Sequence, residues 1–286
     1  MKATFCGVRG STPSPGAEFQ DHGGHTSCVA LAHDGRPPTL ILDAGTGIRR
    51  VTHLLDGAPF RGSILLSHLH WDHTQGLPFF AAGDRDDAVV DLHMPAQGDA
   101  ATVLARAMGP PHFPIGPEGL RGRWRFLGLD EGVHEVEGFA VTARQIPHKG
   151  GRTFGYRVSD GHSSLAYLPD HGPVALGPGP GGYGPYHEAV CALAEGVDVL
   201  VHDAQHVAEE FPRLAGFGHS TVDYAVGLAE HVGAGALVLF HHSPSRTDDA
   251  LDRIAGGVSS SVPVLVAREP MELVLPSIGP PPAVVR

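Results

Sequence analysis

The feature that most constrains this chain is His68-Leu69-His70-Trp71-Asp72-His73, which directly follows the apolar run Ser63-Ile64-Leu65-Leu66. The pattern H-x-H-x-D-H packs four metal-binding side chains into six residues at the end of a buried strand. Alternate side chains on extended backbone point the same way, so His68 and His70 can grip one ion. A turn then carries Asp72 and His73 toward a second position. Imidazole nitrogen together with carboxylate oxygen suits zinc, manganese or iron better than calcium or magnesium. The chain holds 20 histidines, but a random scatter does not set such a cluster at a strand end.

Bulk numbers bound the rest. With 286 residues, 42% hydrophobic and 18% charged, the chain can bury one large core or two modest ones. No apolar stretch is long enough to span a bilayer. The start, Met1 to Arg9, reads as a first strand rather than a signal peptide, so a cytoplasmic protein is expected. Cys6, Cys28 and Cys191 are far apart and form no Cys-x-x-Cys pair; buried reduced thiols are the expectation. A formal charge of −11 disfavours a long nucleic-acid surface, because phosphate backbones need clustered Lys and Arg. It leaves room for a small anionic substrate, since bound metals supply local positive charge. The densest cationic spot, Arg121-Gly122-Arg123-Trp124-Arg125, reads as a solvated loop or an edge strand.

Strand-like runs occur at 3–8, 28–33, 39–42, 63–67, 89–93, 139–145, 153–158, 164–168, 197–201, 236–240 and 262–266. Helix-like segments occur at 46–55, 99–108, 186–195 and 220–232, the last with Ser220 as its N-cap and Asp223 three residues on. Early strands followed by alternating units predict an α+β fold of two sheets with helices outside, an αβ/βα sandwich, in one domain over 1–286. The Gly/Pro-rich stretches 109–117 and 172–186 are loops, and the second is either a lid or an inert surface loop.

A two-metal site needs about three more ligands, typically at strand ends. His148, Asp170 and His241 each stand where an apolar run passes into a loop, and Asp170 is best placed to bridge two ions. Asp43 has two readings, as an acceptor that fixes an imidazole tautomer or as a cap for the helix near Thr46.

These pieces resemble the metallo-β-lactamase-fold hydrolases, and within them the ribonuclease-Z-like and cyclic phosphodiesterase branch. The resemblance runs through Gly7-Val8-Arg9-Gly10-Ser11-Thr12-Pro13, Asp43-Ala44-Gly45-Thr46-Gly47, the His68–His73 cluster, His148 and Asp170. It continues through His202-Asp203-Ala204-Gln205, Gly218-His219-Ser220-Thr221 and Leu239-Phe240-His241-His242-Ser243-Pro244. It implies that His68, His70 and His148 hold one divalent ion, that Asp72, His73 and His241 hold the other, and that Asp170 bridges them. Zinc is the favoured metal, with manganese or iron as alternatives. His242 competes with His241, the strand-proximal one and the favoured ligand. His171 reads as a loop residue without a role. Lys149, His25 and His206 depart from the Pro, Asn and aromatic residue expected at such positions.

The same resemblance implies a chemistry. Asp72 orients a nucleophile while it ligates. His219, held by Asp203, is the general acid for the departing alkoxide. Three substrate classes compete: a small cyclic phosphodiester (a cyclic nucleotide or ribose cyclic phosphate), a precursor tRNA, and a thioester or lactone. Ribonuclease Z enzymes usually insert a long tRNA-gripping arm between the positions matching His148 and Asp170. Here that interval holds only 21 residues, room for two strands and a turn. The small cyclic phosphodiester is therefore the expected substrate, with a homodimer as the expected assembly and a non-catalytic binding module as the competing class.

Overall fold

Short runs of Val, Leu, Ile and Phe build two sheets whose central strands are buried on both faces. The computed structural model describes residues 1–173, 184–275 and the strand at 283–285. The strands of the first sheet are β1 (Lys2–Gly7), β2 (Cys28–Ala32), β3 (Leu40–Leu42), β4 (Arg61–Leu65), β5 (Val89–Pro95) and β6 (Arg123–Leu129). Those of the second are β7 (Gly132–Val136), β8 (Phe139–Gln145), β9 (Phe154–Ser159), β10 (Ser164–Leu168), β11 (Val199–Asp203), β12 (Leu237–Phe240) and β13 (Val264–Val266). β14 (Met271–Val274) and β15 (Ala283–Val285) return to the first sheet, whose order is β15-β14-β1-β2-β3-β4-β5-β6. The second sheet runs β13-β12-β11-β10-β9-β8-β7.

The two sheets face each other across one core. Phe5, Leu31, Leu40 and Leu65 meet Phe139, Phe154, Tyr156, Tyr167 and Phe240 there, all with no exposed surface. Outside the first sheet, Ile48 and Val51 of α1 (Ile48–Val51) and Leu104 of α3 (Ala100–Ala105) cover Ile41 and Ile64. The short α2 (Trp71–Thr74) follows β4. Outside the second sheet, Leu193 of α4 (Glu188–Ala194) and Leu228 of α6 (Val222–His231) cover Leu168, Leu200 and Leu239. The layers are therefore αβ/βα, as the sequence predicts. Because both faces are covered, strands such as β2 and β10 read as continuous apolar runs rather than as alternation.

Several details depart from the sequence reading. The basic stretch after Arg121 is β6, the far edge of the first sheet, so the edge-strand alternative is the correct one. Two of its three arginines are paired with acids, Arg121 with Asp84 and Arg125 with Asp91. β7, α5 (Phe211–Leu214), α7 (Asp248–Gly257) and β14 were not anticipated; β7 and β14 are short, and half their side chains face solvent. The cap of α6 is Thr221, whose hydroxyl accepts from the Tyr224 N–H at 3.1 Å; Ser220 instead donates to the His171 carbonyl. Cys6 and Cys28 are buried free thiols, while free Cys191 is only half-buried. Most of the 172–186 loop lies outside the described residues. Among the described residues no helix is long and apolar enough to cross a membrane.

The pairing directions decide where function can sit. β3, β4 and β5 are mutually parallel, as are β10, β11 and β12, while β8 and β10 both run antiparallel to β9. The C-terminal ends of β4, β8, β10, β11 and β12 lead into the loops of the proposed ligands and of Asp203, and loops beyond carboxyl strand ends are where open α/β sheets place ligands.

Candidate metal centre

Each donor is delivered by a strand end. β4 leads into His68, His70, Asp72 and His73; β8 leads to His148, β10 to Asp170 and β12 to His241. His68, His70, His148 and Asp170 bring their donor atoms together in one group, and Asp72, His73 and His241 form a second. Asp170 stands between them. Its Oδ2 lies 3.3 Å from His148 Nε2 and 3.7 Å from His68 Nε2, while its Oδ1 lies 3.0 Å from His73 Nε2 and 3.2 Å from His241 Nε2. Asp72 Oδ2 is 3.1 Å from His241 Nε2 and 3.3 Å from His73 Nε2. His70 enters through Nδ1, 3.3 Å from His148 Nε2.

These spacings are those of donors around a small cation. Tetrahedral bonds of about 2.0–2.1 Å set neighbouring donors roughly 3.3 Å apart. The hydrogen bonding says the same. Among the described residues both oxygens of Asp170 and Nε2 of His68 are buried without a hydrogen-bond partner, a costly state for a carboxylate unless a cation completes it. The donor set is nitrogen and oxygen with no sulfur, which fits a divalent transition metal.

The surrounding groups fix which ring nitrogen carries the lone pair. Asp43 accepts from Ser67 N–H (2.6 Å), Ser67 hydroxyl (2.8 Å), Tyr167 hydroxyl (2.9 Å) and His73 Nδ1–H (2.7 Å). His73 therefore presents Nε2 bare to the site. The first reading of Asp43 is thus the correct one; α1 starts after Gly47 and has no side-chain cap. His68 Nδ1 lies 3.0 Å from the Ser67 hydroxyl, and His148 Nδ1 donates to the Gly218 carbonyl at 2.7 Å. Each leaves Nε2 free to face the Asp170 carboxylate. The backbone N–H of Ser11 donates to Asp72 Oδ2 at 2.6 Å, a contact no side-chain pattern announces.

His241 sits in the left-handed region at φ 58°, and its ring packs on Gly10. A Cβ at residue 10 would lie 2.4 Å from two atoms of that ring. His242 turns away and bonds the Ala267 carbonyl at 2.9 Å, so of the two it is His241 that stands among the other donors. The fully buried Arg9 ties this corner together through the carbonyls of Gly23 and Arg246, at 2.7 and 2.6 Å.

Beside the donors stands a second pair. His219 Nδ1 lies 2.9 Å from Asp203 Oδ2. Its ring stacks on His241 at 5.0 Å between centroids. Burial disfavours the imidazolium, but the Asp203 charge and hydrogen bond outweigh it and raise the pKa of His219 to about 9. Burial likewise pushes Asp203 upward, and the His219 charge outweighs it, so the carboxyl stays below its ordinary value. Asp203 also accepts from the N–H groups of His171 and Gln205, at 3.1 and 3.0 Å. His171 thus has a role the sequence reading missed: it is a fully buried loop residue that helps to orient Asp203, with its ring 3.2 Å from His202 Nε2. Lys149 reaches back to the Gly216 carbonyl and His25 to Glu269, so neither departure disturbs the donors.

Comparison with known proteins agrees with this geometry. The chain matches the family described as Beta-lactamase superfamily domain over residues 39–242. It is 24% identical to a protein named Ribonuclease Z from Natronomonas pharaonis, over 90% of this chain and 94% of that one. The fold is shared with the human tRNase Z short form, at TM-score 0.64 and 21% identity over 96% and 100% of the two chains. It is shared also with a diphosphatase of the PhnP family, at TM-score 0.67 and 20% identity over 96% and 98%. Donors at the strand ends, the sandwich beneath them and a family match spanning β3 to His242 make this chain a member of the beta-lactamase superfamily, on the branch that it shares with proteins named Ribonuclease Z.

Proposed function

We propose that the protein is a dinuclear, divalent-metal-dependent phosphodiester hydrolase whose substrate is RNA. The observation that carries the chemistry is Asp170, buried between two donor groups with one oxygen turned to each. His68, His70 and His148 would hold one ion, Asp72, His73 and His241 the other, and zinc suits the set best. Bound there, the ions supply Lewis-acid charge that acidifies water and neutralises growing charge on phosphoryl oxygens. The chain's own residues supply the rest. Asp72, held by Ser11, orients the attacking group. Asp43 and Tyr167 hold the imidazole of His73 in one tautomer. His219, whose imidazolium Asp203 stabilises, donates its proton to the departing alkoxide while Asp203 keeps the ring aimed.

The relatives named Ribonuclease Z support an RNA substrate over the small cyclic phosphodiester expected from the sequence. The cyclic diester is the second reading, and one feature favours it: between His148 and Asp170 lie only β9, β10 and their turn, with no arm. We also read 1–286 as one domain, since the central core draws on strands from β1 to β14. A homodimer stays an expectation from the resemblance, and cytoplasmic residence one from the sequence.

The test is hydrolysis of bis(p-nitrophenyl) phosphate with and without chelator, followed by RNA with a 3′ extension against 2′,3′- and 3′,5′-cyclic nucleotides. Chelator-sensitive cleavage of the RNA in preference to the cyclic diesters is expected. A metal-loaded protein inert toward all of them would leave a binding module.

A further inference from the structure

The loop that carries the metal donors has a second face. Leu69 and Trp71 alternate with His68, His70 and Asp72, and both line a groove of about 1520 Å³ on the outer side of that loop. Small-molecule sites run to roughly 300–1,000 Å³, so this one has room for a segment of polymer. Trp71 is 73% exposed and Phe79 56%, and Phe113 stands edge-on to Phe79 at 5.8 Å. Large aromatic side chains left this open at the mouth of a groove mark a binding surface.

The charge around them is as one-sided. Arg49, Arg50 and Arg106 line the groove, and none of its lining residues is Asp or Glu. The chain as a whole has 31 acidic side chains against 20 basic ones, so a lining free of acids runs against the composition. Two arginines at the first sheet's far edge are tied up, Arg121 by Asp84 and Arg125 by Asp91. Among the described residues Arg49, Arg50 and Arg106 have no such partner. Open aromatics interleaved with unpaired guanidinium groups are what an unpaired nucleic-acid strand requires, faces for its bases and cations for its phosphates.

We infer that this groove docks single-stranded RNA, with bases stacked on Trp71 and Phe79 and phosphates held by Arg49, Arg50 and Arg106. The inference rests on the RNA reading above and deepens it: the chain has no inserted arm, and the groove places a gripping surface one residue away from the metal donors. It departs from the sequence-level expectation of no long nucleic-acid surface, which averaged charge over the whole chain. A second copy of the chain is the less fitting occupant. A two-fold contact would set the same patch against itself, arginine facing arginine, with no acid in the lining to pair them.

The molecule carries its own probe. It has two tryptophans, so Trp124→Phe leaves Trp71 as the sole one. Titrating that protein with a 12-residue oligouridylate should give saturable quenching of Trp71 fluorescence. Phe79→Ala should weaken binding by roughly tenfold, as loss of one stacking surface does. Arg50→Glu and Arg106→Glu should each weaken it and flatten the salt dependence by about one unit of slope, with Arg50→Lys restoring most of the affinity. Absence of quenching at low salt overturns the inference, as do groove variants that keep the parent's affinity and slope. Variants that convert a dimer to monomer with RNA affinity intact assign the groove to contact between copies and overturn it as well. Hydrolysis of bis(p-nitrophenyl) phosphate separates this from the enzyme reading. RNA binding without hydrolysis leaves the groove standing and rejects the hydrolase; hydrolysis without RNA binding does the reverse.

Discussion

His219 and Gly10 show how single residues set the chemistry. His219 holds its proton below about pH 9 because Asp203 faces it at 2.9 Å. Its folded pKa is raised, so in the metal-free protein its ion pair stabilises fully below the ordinary pKa of about 6.5 and is lost as pH rises toward 9. Turnover of an alkoxide-leaving diester should fall as the same proton is lost, with cations in the neighbouring donors moving that limb downward. His219→Ala should lower kcat by about 10²–10⁴-fold, keep full metal content and remove the alkaline limb. A p-nitrophenolate leaving group, which needs no proton, should lose much less. Gly10→Ala should displace the His241 ring and leave about one bound ion per chain where the parent has two, measured by elemental analysis. At this scale the sequence was legible where donors cluster or end apolar runs. It assigned no role to Ser11, Gly10 or Tyr167, because a backbone N–H, a missing Cβ and a core hydroxyl leave no pattern of spacing.

At the scale of elements, the loop holding His219 is clamped from both sides. The His206 N–H donates to the Ser220 carbonyl at 3.1 Å, and the Thr221 hydroxyl caps α6. Thr221→Ala should cost about 1 kcal/mol in denaturant unfolding and lower kcat through a loosened His219, with metal content unchanged. A loss of metal in this variant would instead mean that α6 supports the donors directly. The sequence reading found α6 but placed its cap one residue early, because Ser220 and Thr221 are both good caps and only the fold shows that Ser220 is engaged by the His171 carbonyl. β7 and β14 escaped notice for a different reason. They are short, half-exposed strands whose membership comes from pairing, β7 with β8 and β14 with β1.

Across the whole molecule, the core between the sheets positions the site. Phe240 has no exposed surface, packs on Phe5 and Tyr167 at 6.0 and 5.7 Å, and is followed at once by His241. Phe240→Ala should cost about 3–5 kcal/mol, and the surviving folded protein should bind metal more weakly because His241 loses its anchor. Equal stability by thermal unfolding would contradict a shared core. The two-layer architecture was readable because fully buried strands give continuous apolar runs; the way that β8, β10, β11 and β12 open onto one end was not, since pairing direction is a long-range property. The central claim is that seven side chains from four strand ends converge on two cations. The most direct measurement is an anomalous difference map from crystals of the metal-loaded protein, recorded at the absorption edge of the metal found by elemental analysis. Two peaks are predicted, one within bonding reach of His68, His70, His148 and Asp170, the other of Asp72, His73, His241 and Asp170. A single peak, or peaks bonded to other residues, would contradict it.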